Sequence, residues 1–294
     1  MRTLLHLGLA GALLSLGLQG GCRGSDSTDD TQDLGGNPTS DLTVVKVTKP
    51  TTIRELNTAG GPIAVKDRVK FSGVVVSPFM WNSYDDNDPK SQYCNYRIVV
   101  MHSDGSAPTL SDGIVVTIGL KTTFAGDMSK LGQCTELGKK STQVMSMDGV
   151  KSGDLVEIQG TLNSFGAAGT RFIDVYGGTV TGMGQAPMQP VPVPVADPSM
   201  FAGASPLPKA FVDASGVLVR FDNIQVTAAP NTYQEYTVNT TDMAGASISS
   251  SYVRVLTKGY MAPPKGTMLK SLTGIVFGDY GGKIWPRTVD DIKM

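Results

Sequence analysis

One stretch of sequence occurs twice, and it limits the fold more than any other feature. Residues 153–166 read Gly-Asp-Leu-Val-Glu-Ile-Gln-Gly-Thr-Leu-Asn-Ser-Phe-Gly, and residues 266–280 read Gly-Thr-Met-Leu-Lys-Ser-Leu-Thr-Gly-Ile-Val-Phe-Gly-Asp-Tyr. In the first copy Val156, Ile158 and Leu162 alternate with Glu157, Gln159 and Thr161. That period of two is the signature of a half-buried strand. Gly160 falls where a side chain would point inward, and Gly274 holds the matching place in the second copy. An inward glycine in a strand predicts a sharp bend or a close backbone approach. Each copy is followed by a Gly-containing turn and a further strand, at 171–175 and at 283–287.

Each half also opens with a long strand. The first runs from Val69 through Phe71, Gly73 and Val75. The second runs through Val217, Val219 and Phe221, then changes phase to Ile224 and Val226, which predicts a bulge. Bulges and glycines let one strand serve two sides of a small closed barrel. Two middle strands follow in each half, at 96–102 and 114–120, then at 235–240 and 252–258. With 35 Gly, 17 Pro, abundant Val and Thr and few helical patterns, the chain reads as all-β. Five strands per half is the count of the OB-fold.

The run Thr52-Ile53-Arg54-Glu55-Leu56, followed by Val69-Lys70-Phe71-Ser72-Gly73-Val74-Val75, resembles the start of OB-like domains in bacterial exported proteins. The ending Lys283-Ile284-Trp285-Pro286-Arg287-Thr288-Val289-Asp290-Asp291-Ile292 is similar to their last strand. The resemblance implies two OB-like five-stranded Greek-key barrels, at 43–184 and 210–294. It transfers no catalytic residue, and the first half carries a long insertion at about 121–147. Between the halves, residues 185–209 are Pro-rich. Pro190, Pro192 and Pro194 alternate and enforce an extended chain. The segment reads as a semi-rigid spacer, with a docking motif for a Pro-binding partner as the alternative.

The N-terminus predicts export. Arg2 supplies a positive n-region, and 4–18 is an apolar h-region without an acid, too short to span a bilayer comfortably. Leu18-Gln19-Gly20-Gly21-Cys22 resembles the lipobox of bacterial lipoproteins, with Gln19 where Leu is usual. The resemblance implies cleavage after residue 21 and lipidation of Cys22; ordinary secretion is the alternative. Residues 22–42 are then a polar tether with an expected span of about 25 Å. Once Cys22 is lipidated, Cys94 and Cys134 remain as an even pair. In an oxidising compartment they form a disulfide closing about forty residues, worth roughly 3–4 kcal/mol; two buried thiols are the alternative.

Charge excludes one class of partner interaction. The chain carries 25 basic and 26 acidic residues, and Asp26, Asp29, Asp30, Asp33 and Asp41 lie in the tether. No strong basic field exists to hold nucleic acid through counterion release. Only His102 could serve a hydrolase triad after signal cleavage. It reads either as a base beside Asp104 or as a surface residue at a strand end. Asp85, Asp86 and Asp88 read either as a Ca²⁺ loop or as a solvated one. No cofactor motif occurs.

OB barrels bind ligands on the face of strands 2 and 3. In the first half that region offers Trp81, Tyr93 and Tyr96, with Arg97 beside them, and Tyr84 nearby. In the second it offers Tyr233, Tyr236 and Tyr252, with Arg254. These aromatics either stack on bases or sugars or pack across strands. The sequence therefore predicts a non-enzymatic lipoprotein, anchored through Cys22 at the envelope and in the outer membrane of a Gram-negative cell. Its expected work is binding or scaffolding, with an envelope protein, a glycan or single-stranded nucleic acid as partner. An accessory part of an exported nuclease-like system is the alternative from the enzyme class.

Overall fold

The computed structural model describes residues 51–58, 60–77, 80–81, 93–121, 150–166, 169–201, 207–231, 235–240, 253–256, 262–278 and 282–294. These residues form one compact unit. The architecture is all-β; among the described residues are two five-residue helices, α1 (Ile53–Asn57) and α2 (Lys209–Asp213).

The first sheet contains β1 (Arg68–Val75), β2 (Met80–Trp81), β3 (Tyr93–Met101), β4 (Gly113–Lys121), β5 (Asp154–Phe165) and β6 (Thr170–Gln185). Its pairings run in a closed circuit. β1 pairs antiparallel with β3, β3 with β4, β6 with β5 and β5 with β1, while β4 and β6 pair in parallel. Three strands in a meander, with a later pair inserted between the third and the first, make a Greek-key circuit of five. Alternation puts Tyr96, Ile98 and Val100 of β3, Ile114, Val116 and Ile118 of β4, and Ile173 and Val175 of β6 in one interior cluster. Helix α1 adds Ile53 and Leu56 to it. Thr52 and Glu55 form a capping box that starts this helix.

The second sheet contains β7 (Val193–Pro194), β8 (Leu218–Ala228), β9 (Glu235–Thr240), β10 (Val253–Leu256), β11 (Met268–Phe277), β12 (Lys283–Trp285) and β13 (Ile292–Lys293). β8, β9, β10, β12 and β11 repeat the same circuit, including the parallel pair, here β10 with β12. The expected inward glycines are tight approaches in both sheets. A Cβ on Gly160 would sit 2.6 Å from the Asp174 carbonyl oxygen, and one on Gly274 would sit 2.6 Å from Ile284 Cγ2. The phase change in β8 falls at Asn223, whose φ is 54°. The register against β9 slips later, between Val226 and Ala228.

The Pro-rich segment is more than a spacer. Val193 and Pro194 pair in parallel with Val219 and Arg220, and the Val195 N–H donates to the Arg220 carbonyl at 2.9 Å. Proline fits because β7 is an edge strand that needs few donors, and the intervening valines supply them. Val193 and Val195 are buried.

The two circuits share a core. Val76, Val99, Met101 and Val115 of the first join the cluster that holds Phe201, Phe211, Phe221, Leu218 and Trp285 of the second. At the seam Gly113 lies against Gly216, so closely that a Cβ on Gly113 would overlap the Gly216 carbonyl. The Thr170 hydroxyl donates to the Gly278 carbonyl at 3.3 Å. Arg287 chelates Asp291 at 2.8 and 2.9 Å and donates to the Val76 carbonyl at 3.4 Å.

Candidate functional site: a polar row on the outer face of the first circuit

Side chains alternate across a strand, so Tyr96 and Arg97 face opposite ways. Tyr96 is fully buried in the interior cluster. Of the two readings open to it, Tyr96 takes the packing one, and it does not share a face with Arg97. Trp81 pairs in register with Tyr96, and Tyr93 with Lys121. The side chains of Trp81 and Tyr93 lie outside the described residues.

Arg97 opens the outer face. It lies opposite Thr117, Thr117 opposite Asp174, and Asp174 opposite Thr161. The four form one row across β3, β4, β6 and β5. Three inter-strand steps of about 4.8 Å make it roughly 14 Å wide. The next row runs Val99, Val115, Phe172 and Asn163, and beyond it Thr170 faces Phe165. Hydrophobic Val99 and Val115 take the second circuit's core against them. Thr117 is buried where the second circuit approaches, whereas Arg97, Asp174 and Thr161 stay partly exposed, so the junction covers part of this face and leaves the rest.

The uncovered part includes a small cleft of about 40 Å³. Arg97, Thr117, Phe165, Arg171 and Phe172 line one side, and Ser215 and Phe277 of the second circuit line the other. Phe165 is 46% exposed at its rim. Arg171 donates to the Leu56 carbonyl at 2.6 Å, which fixes its side chain along the wall.

Asp174 is the unusual group of the row. Burial pushes its carboxyl up from the ordinary range. The Asn163 amide, donating at 2.7 Å, and the charges of Lys66 and Arg97 offset that only in part. Lys66 holds φ at 80°, and its N–H donates to the Leu162 carbonyl at 2.7 Å. A left-handed lysine is uncommon. Thr117, Asn163, Phe165, Phe172 and Asp174 carry no sequence signal as a site. Only the register brings them together.

The other expected residues fall elsewhere. His102 Nε2 lies 2.9 Å from Asp104 Oδ2 at the surface. Hydrogen bonds from Ser106 and then His102 hold the Asp104 carboxyl below its usual range. Tyr236 is buried in the second circuit, and burial pushes its phenol up. Arg254 lies opposite Thr237 on β10. Cys94 pairs in register with Leu120, but its side chain lies outside the described residues. Cys22, Tyr84, Asp85, Asp86, Asp88, Cys134, Tyr233 and Tyr252 lie outside them altogether. Among the described residues, no group of three or more His, Cys, Asp or Glu is placed to hold a metal ion. Among the same residues, no helix is long and apolar enough to cross a membrane.

No protein-family profile matches this chain, and no curated protein does. Among solved structures, a replication protein A heterotrimer bound to single-stranded DNA is similar at 10% identity, with a TM-score of 0.29. The match covers 77% of this chain and about half, 51%, of that one.

Proposed function

We propose that this chain is a lipid-anchored, non-enzymatic binding module of the bacterial cell envelope, holding its ligand on the polar row of the first circuit. The observation that carries the binding role is the row itself. Arg97, Thr117, Asp174 and Thr161 offer donors and acceptors on rigid strands, beside the half-exposed Phe165 and the partly buried Phe172. Arg97 and Thr117 line the cleft with Phe165 and Phe172, and Asp174 and Thr161 continue the row beyond it; a few convergent polar groups beside apolar surface are what ligand recognition requires. The anchor rests on the segment ending at Cys22 and the polar tether after it. A permanent anchor suits a module that samples its neighbourhood at the end of a flexible chain.

Two measurements test the two parts. Metabolic labelling with a fatty acid should mark the parent and spare Cys22→Ala; equal labelling of both removes the anchor. The full chain, purified in detergent, should retain a ligand from panels of oligosaccharides and oligonucleotides. Arg97→Ala should abolish that retention, and its melting curve verifies that the variant folds, since Arg97 is partly buried and lies within electrostatic reach of Asp174. Binding that survives Arg97→Ala places the site elsewhere.

A further inference from the structure

We infer that the row recognises a neutral glycan rather than the phosphate backbone of a nucleic acid. This rests on the binding reading above and names its ligand class. The centre of the row is Asp174, with Thr117 on one side and Thr161 on the other. A carboxylate at that place accepts hydrogen bonds from hydroxyls and repels phosphate. Arg97 stands at one end of the row, within electrostatic reach of Asp174. The pair presents a donor and an acceptor across a short span, not a field of one sign. Hydroxyl-rich rings need that mixture, because each hydroxyl both donates and accepts. Phe165 supplies an exposed apolar plane at the rim, suited to the C–H face of a sugar. The strip is roughly 14 Å wide, and its carboxyl is poorly solvated. That width suits a chain of rings laid across the strands, and a ligand hydroxyl would give the carboxyl a hydrogen bond in addition to the one from Asn163. The whole chain, with 25 bases and 26 acids, adds no basic field to overcome the central carboxylate.

Asp174→Asn separates the ligand classes, because it affects them in opposite directions. The full chain in detergent is titrated against an array of neutral oligosaccharides and against oligothymidylate, at low and at physiological salt. The expected result is retention of a neutral oligosaccharide with a flat salt response. Asp174→Asn weakens it about tenfold or more, the loss of one charge-assisted hydrogen bond. Thr117→Val, which keeps the shape and removes the hydroxyl, weakens it as well, and the melting curves of both variants verify that they fold. Oligothymidylate bound with a steep salt dependence, and bound more tightly by Asp174→Asn, overturns the glycan inference while the binding module stands. Retention of neither class by the folded chain overturns both. A neutral oligosaccharide bound equally by parent and Asp174→Asn overturns the assignment of this row.

Discussion

Replacing Gly113 by alanine should loosen the junction of the two circuits at a single point. The added Cβ would overlap the Gly216 carbonyl and lie 2.7 Å from Val217 Cα. All of these neighbours are backbone, so no rotamer change can relieve the clash. Gly216 itself holds φ at 89°, and a Cβ there would meet the Ile114 backbone at 2.6 Å. The seam has no slack from either side, and restoring ordinary contact means moving β4 away from the β8 turn. That movement thins the contact of Val99, Met101 and Val115 with the shared core. Overpacking of this kind costs about 1–3 kcal/mol. In a compact unit of this size each kcal/mol lowers the melting temperature by about 2–4 °C. Gly113→Ala should therefore melt roughly 2–12 °C below the parent by calorimetry or circular dichroism. Gly166→Ala is the control: its Cβ would meet open space, and only its φ of 67° opposes the change. A Gly113→Ala protein that melts with the parent, over one unchanged transition, refutes the close approach and the fused core built on it.

Tyr96→Ala should destabilise the first circuit by about 3–5 kcal/mol, measured by urea unfolding, because a fully buried ring leaves a cavity. A fragment beginning at residue 185 should give better dispersed amide spectra than one beginning at residue 210, which lacks the β7 pairing and buried Val193 and Val195. The Arg54 guanidinium and the Thr109 N–H outweigh burial at Asp112 and hold its carboxyl below the usual range. A depressed folded pKa stabilises above the unfolded value of about 3.9 and loses that contribution as pH falls through the folded one. Acid unfolding of Asp112→Asn should accordingly begin from a lower stability at neutral pH and show a shallower decline below about pH 4 than the parent.

Much of the architecture was legible because it rests on periodicity. The alternation at 153–166 corresponds to β5, and the duplicate at 266–280 contains β11. Gly160 and Gly274 announced close approaches because a strand gives up an inward side chain only where space is missing. The Pro-rich stretch was misjudged because composition reports stiffness but not pairing, and an edge strand accepts proline where a central one cannot. Tyr96 and Arg97 were grouped through proximity in sequence, whereas strand alternation sends neighbours to opposite faces. The polar row was invisible for a related reason. Its members lie at 97, 117, 161 and 174, and only the parallel register of β4 with β6 brings Thr117 beside Asp174. All of β5 and the segment before it lie between these two strands in the chain, and a single sequence holds no local signal for their register.

Asp174 links the stability of the fold to the use proposed for it. A carboxyl raised by burial costs the folded state free energy once it ionises. Below the unfolded value of about 3.9 the group is protonated in both states and contributes nothing. As pH rises from there, the unfolded chain ionises first, and the folded state loses stability until the raised folded pKa is passed. Above it the penalty is constant. Asp174→Asn keeps the shape and an oxygen that can accept from Asn163, and it removes the penalty. The variant should therefore be more stable than the parent at pH 7, and the two should converge as pH falls towards 3. A residue kept only for packing would show that gain at no cost. If Asp174 serves a ligand, the same substitution should raise the melting temperature and weaken glycan retention together, the trade expected where a site holds a poorly solvated charge for function. A variant less stable than the parent at pH 7 would mean that the ionised carboxyl is well satisfied in the fold, and the case for a ligand completing its hydrogen bonds would go with it.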